Sequence, residues 1–500
     1  MLDTLSVPLV VGSVFTVLFA HWLVRFTAVL FSHRGQPGYV ALCPPFSMWP
    51  SVLFGQKNPR LCFSRHAAWL DKGQLFRRYH SSVLAVRSLF PPTVTVLVGD
   101  GKLVNHVNSD RKTFTKAAGS NPPVTSHYGF NLLSADGDEW RRHRRIAVSS
   151  FNTATTAKVW DEAVTVTERF QTMLKAEAVS GKTVVHGFED LIASLALINS
   201  SISLYQANKI DIRDYAIPSL VPWALGLPIP KIQRVRAGYQ AFEDALKEII
   251  EQRRKEIVAE TEEGDKKQDL LSAIVRANLR EEGKNRLSDR ELLSNAYIFE
   301  LAGHEPVHAE IAAYLSSGRP FTYSDAYNSL PVTLATIYEG LRLAGPVAAT
   351  PKVAVTDAVL EARTYGKDSG ARKVFVPQGA VVRSSLVAAH YDADIWPDPF
   401  TFKPSRFMGK DWDSESFLPF SSGLRGCIGK TFALAELVVV TALTLHRYRL
   451  AVPEEVQAEW KLREGESERE RRDRILKPSW PITMGPNGID IAFVEREKEE

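Results

Sequence analysis

The chain has 500 residues, enough for one large domain or several smaller ones, and its apolar content of 45% can fill a substantial core. Its net charge of +4 is too small to favour nucleic-acid binding. Its three cysteines, Cys43, Cys62 and Cys427, lack C-x-x-C spacing, which argues against a zinc site and a disulfide scaffold and fits a reducing compartment.

The N-terminus is an unusually apolar segment. Residues 4–24 carry no formal charge and are dominated by Leu, Val and Phe. Because about 20 such residues span a bilayer as a helix, residues 1–24 are predicted to be a membrane anchor. Residues 25–70 hold five Lys or Arg and no acid, which places that side in the cytosol. The alternative is a cleaved signal peptide, but its basic start, shorter apolar core and cleavage site are not clear here.

The next part of the chain changes in composition. Residues 25–59 are basic and rich in Pro and Gly, which predicts a stiff, irregular linker. The remainder, 60–500, is predicted to be the main domain. Its β-branched runs between Val83 and Val98 predict a small sheet, and residues 155–204 are expected to be largely helical.

A run of five basic or His residues, 141–145, follows Trp140. Such a run can mark a nucleic-acid or nuclear-import patch, but no wider basic field surrounds this one. Trp140 and Arg144 lie four residues apart, so on a helix they share one face. The other arginines of the run indicate either a solvated helix face or a docking surface for an acidic partner.

Three further patterns lie between residues 292 and 407. An apolar helix is predicted from Leu292 to His304; Glu305 follows it, and then Pro306, which kinks or stops a helix. Glu339 and Arg342 are spaced i,i+3 on a second predicted helix, 334–343, a spacing that is commonplace in surface ion pairs. Arg406 lies in the segment Pro-Ser-Arg-Phe, 404–407.

The most informative stretch is the glycine-rich loop 420–429, which contains Cys427. The following residues, 430–445, lack Gly and Pro and predict a helix, so Cys427 would precede a helix N-terminus. The helix dipole and the nearby Arg425 both favour a thiolate there. A thiolate in a glycine-rich loop suits a soft or borderline metal, and haem iron is one possibility. The alternative is a buried structural cysteine on a turn.

The loop matches F-x-x-G-x-R-x-C-x-G at every fixed position, and in this it resembles the haem-binding loop of the cytochrome P450 family, the haem-thiolate monooxygenases. The resemblance implies haem b (heme b), with Cys427 as the metal ligand. It further implies a mainly α fold with a smaller β region, and a haem-thiolate catalytic domain at 60–500. The cofactor-binding residues that it implies are Trp140, Arg144, Phe420, Arg425, Cys427 and Gly429.

The same resemblance gives roles to the other patterns. Glu339, Arg342 and Arg406 would form a buried structural triad that braces the haem loop. Glu305 matches the acid of the family's oxygen-binding pattern, and would be the catalytic residue that relays protons to the reacting oxygen. The family's usual Thr is replaced here by Pro306. The sequence then runs directly to 316–320, so that the C-terminal part of the family's helix I and its helix J are expected to be lacking.

The implied function is insertion of one oxygen atom of O2 into an apolar small molecule. Electrons would come from NADPH through NADPH–cytochrome P450 reductase, at the endoplasmic reticulum membrane, and the pattern is most similar to fungal members of secondary metabolite biosynthesis. Two alternatives remain: a haem-thiolate isomerase or dehydratase, or a catalytically impaired haem-binding variant. No nucleic-acid partner is expected.

Overall fold

The computed structural model describes residues 3–47, 58–116, 129–186, 270–279, 317–366, 370–409, 411–461 and 463–475, with shorter stretches within 233–257 and at 314–315, 478–479, 485–486 and 490–496. The chain divides into two compact units. The first comprises Met1–Ala117, Val347–Thr401 and Asp413–Gly426, and the second comprises Ala118–Pro346, Phe402–Trp412 and Cys427–Glu500.

The first unit begins with a long apolar helix, α1 (Asp3–Ser32). Its window Val11–Phe31 is long and apolar enough to cross a membrane, with a mean hydropathy of 1.8. Residues 11–21 are exposed along the whole helix circumference, so this part of α1 does not pack its apolar side chains against the part of the chain that the structure describes.

The centre of the first unit is a six-stranded mixed sheet with the order β1-β2-β3-β9-β6-β4. Strands β2 and β3 pair antiparallel, and β1 and β9 join them in parallel on either side. A hairpin of β7 and β8 completes the core, in which Val and Ala side chains from both sheets pack together. The strands are β1 (Gly38–Ala41), β2 (Val83–Ser88), β3 (Thr93–Val98), β4 (Phe114–Lys116), β6 (Ala349–Ala354), β7 (Ala358–Arg363), β8 (Ala371–Val376) and β9 (Val381–Ser385).

Short helices flank this sheet: α2 (Arg65–Asp71), α3 (Gln74–Arg78), α4 (Gly101–Ser109) and α10 (Leu386–His390). Helix α4 starts directly after β3, where the Asp100 side chain caps it by accepting a hydrogen bond from the Leu103 N–H. Gly101 is required by close packing, because a Cβ atom there would lie 2.6 Å from the Ser416 Cα. This contact fixes the start of α4 against the segment that leads into the 420–426 loop.

The second unit is mainly helical. Its helices are α5 (Gly137–Ser150), α6 (Thr153–Ala176), α7 (Leu270–Leu279), α8 (Tyr323–Ala326), α9 (Pro331–Leu343), α11 (Lys430–Arg447), α12 (Glu454–Trp460) and α13 (Glu468–Ile475). Helices α6 and α11 pack along each other, and the Gln171 amide of α6 donates a hydrogen bond of 2.8 Å to the Leu443 carbonyl of α11. The apolar residues of α6 recur at helical spacing, which places Trp160, Phe170 and Leu174 on its buried side.

A small antiparallel sheet, in the order β10-β13-β5, closes one end of these helices. It consists of β5 (Lys182–Val185), β10 (Tyr448–Ala451) and β13 (Ile491–Glu495), and a further pair of two-residue strands is formed by β11 (Pro478–Ser479) and β12 (Gly485–Pro486). Phe170, Leu174, Tyr448 and Phe493 form one apolar cluster between sheet and helices. The expected mainly α fold with a smaller β region is therefore confirmed.

Some local expectations are wrong. The predicted linker 25–59 contains the last turns of α1 and all of β1, because the backbone of Gly38–Ala41 finds a partner in β2. Residues 155–204, expected to be largely helical, are helical up to Ala176, after which β5 pairs with a strand from the far end of the chain; residues 187–204 lie outside the described residues. Composition alone does not reveal such distant pairing.

Candidate functional site

Cys427 lies two residues before Gly429, the N-cap of α11, so that the loop-then-helix arrangement expected from the sequence is present. Its side chain is solvent-exposed, unlike those of Cys43 and Cys62. Gly429 lies directly beside the sulfur, because a Cβ atom there would make van der Waals contacts at 4.0 Å with the Cys427 Sγ and at 3.6 Å with the Phe151 ring. An accessible thiol beside a side-chain-free position suits a ligand that approaches the sulfur closely.

Burial acts against ionisation of the Cys427 thiol. The surrounding protein atoms raise its pKa by desolvation, and a hydrogen bond with the backbone N–H of Gly429 offsets this effect only in part. Desolvation thus opposes the helix dipole and Arg425, which favour a thiolate. The positive charge of a bound metal would also favour the anionic sulfur.

Helix α5 presents Trp140 and Arg144 on one face, as predicted. Trp140 is buried, and the Arg144 guanidinium lies 5.5 Å from the centroid of its ring. Phe151, the C-cap of α5, continues the same face and packs edge-on against Phe432 of α11, with ring centroids 4.7 Å apart. This stripe of α5 thus ends beside the segment that carries Cys427.

An open groove of about 760 Å³ follows α5. Its lining is strongly basic: Trp140, Arg141, Arg142, Arg144, Arg145 and Val148, with Asp138 and Glu139 at one end. Arg141 pairs with Asp138 within the first turns of the helix. A groove with several guanidinium groups and an indole suits a ligand or partner that carries carboxylates.

The structure brings Glu339, Arg342 and Arg406 together in the second unit. The Glu339 carboxylate, which is fully buried, accepts hydrogen bonds from Arg342 Nε at 2.7 Å and Arg342 Nη2 at 2.8 Å. It also accepts bonds from Arg406 Nε at 3.1 Å and from the Lys403 backbone N–H at 2.8 Å. These contacts tie α9 to the 3₁₀ turn Pro404–Phe407, which motif spacing alone could not establish.

In the first unit, residues 420–426 are held by contacts that the sequence analysis missed. The buried Asn108 side chain donates hydrogen bonds to the Ser422 Oγ at 3.0 Å and the Ser421 Oγ at 3.4 Å. Gly423 packs so closely on the Asn108 carbonyl that a Cβ atom would lie 2.9 Å from the oxygen. The Leu418 N–H donates to His390 Nε2 at 2.8 Å, which makes that ring nitrogen an acceptor. A single Asn or His carries no sequence signal for such a role.

The expected site residues fall into three groups. Cys427, Gly429, Trp140 and Arg144 belong to the second unit, and Phe420 and Arg425, both half-buried, belong to the first. Glu305 and Pro306 lie outside the described residues. Among the residues that the structure describes, no group of three or more His, Cys, Asp or Glu side chains could hold a metal ion. The candidate groups that remain, one cysteine sulfur with arginines and a tryptophan, fit haem better than a bare metal ion.

Comparison with known proteins also points to haem as the ligand of this site. The family model of cytochrome P450 matches residues 65–307 and 305–470, in two stretches that meet at Glu305–Val307. Cytochrome P450 monooxygenase 124 of Postia placenta is 27% identical over 89% of this chain and 92% of its own length. Rat cytochrome P450 4A12 is 26% identical over 64% of this chain and 70% of its own length. The cyclooctat-9-en-7-ol 5-monooxygenase of Streptomyces melanosporofaciens is 32% identical over 45% of this chain and 50% of its own.

Replacing Glu339 should destabilise the second unit severely. In Glu339→Gln, the two arginines stay buried without a counter-charge, and breaking a buried ion pair in this way costs about 3–5 kcal/mol. The measurement is thermal unfolding of the purified variant. The matched control is Asp138→Asn, which removes an i,i+3 ion pair that is exposed, with an expected effect of about 0–1 kcal/mol. Equal melting temperatures for the two variants would contradict the structural role of Glu339.

Asn108→Ala should loosen residues 420–426 without unfolding the protein. It leaves two serine hydroxyls without their donor, at a cost of about 1–3 kcal/mol. We expect faster loss of haem, measured as transfer to an excess of apomyoglobin. Asn105→Ala, one turn earlier on α4, is the control and should lose haem at the parent rate. An Asn108→Ala protein that retains haem as well as the control would show that this bond does not hold the loop.

Proposed function

The chain belongs to the cytochrome P450 family of haem-dependent oxidoreductases, and from that premise we propose that it inserts one oxygen atom of O2 into an apolar small molecule. The observation that carries the proposal is the accessible Cys427 thiol at the start of α11, within a loop that fits the family's haem-binding pattern. A role in secondary metabolite biosynthesis is part of the proposal. It is supported by the relative whose name describes 5-monooxygenation of cyclooctat-9-en-7-ol.

The chain's own residues have distinct proposed tasks. Cys427 would bind the haem iron through its sulfur, Gly429 lies next to that sulfur, and Phe420 would pack beside it, as the family resemblance implies. Trp140, Arg144 and Arg425 would bind the haem propionates; for Trp140 and Arg144, the basic groove along α5 supports this task. Haem b, when bound, supplies the oxygen chemistry.

Proton delivery is assigned to the carboxyl group of Glu305. The usual neighbouring hydroxyl is absent because Pro306 has none, so that water would have to carry the proton over the remaining distance. The family model supports this assignment only in part, because its two matched stretches, 65–307 and 305–470, meet at Glu305–Val307 and do not form one continuous match. The chain is therefore proposed to lack the segment that normally follows.

The proposed electron donor is NADPH–cytochrome P450 reductase. Arg141 and Arg145 line the groove along α5, and their charge would attract an acidic docking face. Helix α1 is proposed to anchor the chain in the endoplasmic reticulum membrane, with the main domain in the cytosol. Its exposed apolar residues between Val11 and His21 support this localisation.

The second candidate function is that of a haem-thiolate isomerase or dehydratase. Pro306 favours it, because such a reaction does not need the hydroxyl-assisted activation of O2. With reductase, O2 and an apolar substrate present, a monooxygenase consumes NADPH as product forms. Product formation without NADPH would establish the isomerase or dehydratase, and a folded, haem-loaded chain without either product would be the impaired variant.

The decisive test of the haem assignment is Cys427→Ser. The parent chain, reduced and exposed to carbon monoxide, should show the red-shifted Soret band of thiolate-ligated haem, and the variant should lose it because the thiolate is gone. Cys43→Ser, which changes a buried cysteine of the first unit, should retain the band. A band that survives in Cys427→Ser would overturn the assignment.

The proposal that a segment is lacking after Pro306 has a separate test. Sequencing the transcript across the codons for His304 to Ile311 should reveal a longer form that encodes a Thr after Glu305 and a further helical segment. If only the present junction is found, Pro306 is the natural residue, and proton delivery has to proceed without that hydroxyl.

A further inference from the structure

Arg383 of β9 places a positive charge on an apolar face of the large sheet. In the register of this sheet it lies opposite Leu97 of β3, which is buried. Paired residues of neighbouring strands point to the same face, and Leu97 belongs to an apolar cluster against which Phe46 packs. The Arg383 guanidinium lies over the Phe46 ring, 5.5 Å from its centroid. The charge is therefore surrounded mainly by hydrocarbon.

Among the residues that the structure describes, no carboxylate compensates the charge of Arg383. The side chain is half-buried, and its Nε atom is buried without a hydrogen-bond partner. Residues 25–70, which include Phe46, contain no Asp or Glu. Desolvation lowers the pKa of Arg383 from 12.5 to about 10, so the group is still cationic near pH 7 but is poorly solvated.

Two other arginines of low exposure show what Arg383 lacks. Arg342 is fully buried and is bound by the Glu339 carboxylate at 2.7 Å, and the half-buried Arg363 is paired with Asp392. An uncompensated guanidinium in an apolar setting favours a ligand that brings a carboxylate, because the two carboxylate oxygens match its planar fork. The rest of such a ligand would have to be apolar to lie beside the neighbouring phenyl ring.

We propose that Arg383 binds the carboxylate of an amphiphilic substrate whose apolar part lies along Phe46. This inference rests on the proposed function and narrows its apolar small molecule to one that carries an acid group. Haem also carries carboxylates, its propionates, but Trp140, Arg144 and Arg425 are already proposed to bind those. An unpaired charge that destabilises the free protein is then retained because it is used in binding.

The test measures the binding of dodecanoate and of its uncharged methyl ester to the full-length, haem-loaded chain by titration calorimetry. Arg383→Met removes the charge with little change in side-chain length, and Arg383→Lys keeps the charge without the planar fork. Arg372→Met is the matched control, because Arg372 is an exposed arginine on β8 of the same unit. Calorimetry reports binding independently of turnover.

We expect the parent chain to bind dodecanoate more tightly than the ester. In Arg383→Met the acid should bind about 10- to 100-fold more weakly, because a charged hydrogen-bonded pair is lost, and the ester should bind as in the parent. Arg383→Lys should retain part of the preference for the acid, and Arg372→Met all of it. Without ligand, Arg383→Met should unfold at a higher temperature than the parent, because an uncompensated charge is removed.

A preference for the acid that persists unchanged in Arg383→Met, or that is absent from the parent, would overturn the inference. A lower unfolding temperature of Arg383→Met with that preference unchanged would make the side chain purely structural. Faster transfer of haem to apomyoglobin in Arg383→Met, again with the preference unchanged, would assign the guanidinium to a haem propionate instead. Failure of the proposed function is distinguishable, because it would appear in the parent as a missing thiolate–haem Soret band.

Discussion

The arrangement of the second unit depends on one buried carboxylate. Glu339 has no solvent contact, so its negative charge is compensated entirely by protein donors: two guanidinium groups and one backbone N–H. Burying three charged groups brings little net stability, because desolvation offsets most of the attraction. The cluster instead fixes the relative positions of its members, because each donor has to lie at one place to form its hydrogen bond with the carboxylate. Helix α9 and the turn at 404–407 are thereby locked in a single register.

A cluster of aromatic side chains adds further contacts between α9 and the residues that follow Lys403. Tyr338, next to Glu339 on α9, packs edge-on against Phe407 at 5.7 Å, and Phe407 packs against Trp412 at 5.0 Å. Residues 403–409 have little regular secondary structure beyond one 3₁₀ turn, so their path is set by these side-chain contacts. In the first unit, residues 418–423 are irregular in the same way, and Asn108 and His390 hold them through their own hydrogen bonds. Irregular segments that carry functional residues thus depend on donors and acceptors that lie far away in sequence.

This dependence explains what could be predicted from the sequence. Helix α11 was predicted over 430–445 and extends over Lys430–Arg447, because a run without Gly or Pro and rich in Ala, Leu and Val determines its own local structure. The strands at 83–98 were predicted for a similar reason, since β-branched residues alternate between turn signals. The partnership of Glu339 with Arg342 and Arg406 needed the family resemblance, because i,i+3 spacing alone is equally typical of an exposed pair. Asn108 could not be predicted, since its importance arises only from the close approach of α4 and residues 421–423.

For helix α1 and for Cys427, the local sequence predicts one property and the folded surroundings modify it. Composition gives α1 an apolar window of 21 residues, but its later half is packed on the first unit, where the Trp22 Nε1 donates a hydrogen bond to the Leu89 carbonyl in the turn between β2 and β3. For Cys427, local sequence favours a thiolate through the helix N-terminus and Arg425, but desolvation by the folded protein acts against it and raises the pKa of the thiol. A metal that binds the sulfur has to displace its proton, so metal binding and deprotonation occur together. The protein therefore supplies a positioned, accessible thiol, and the positive charge of a bound cofactor would favour its anionic form.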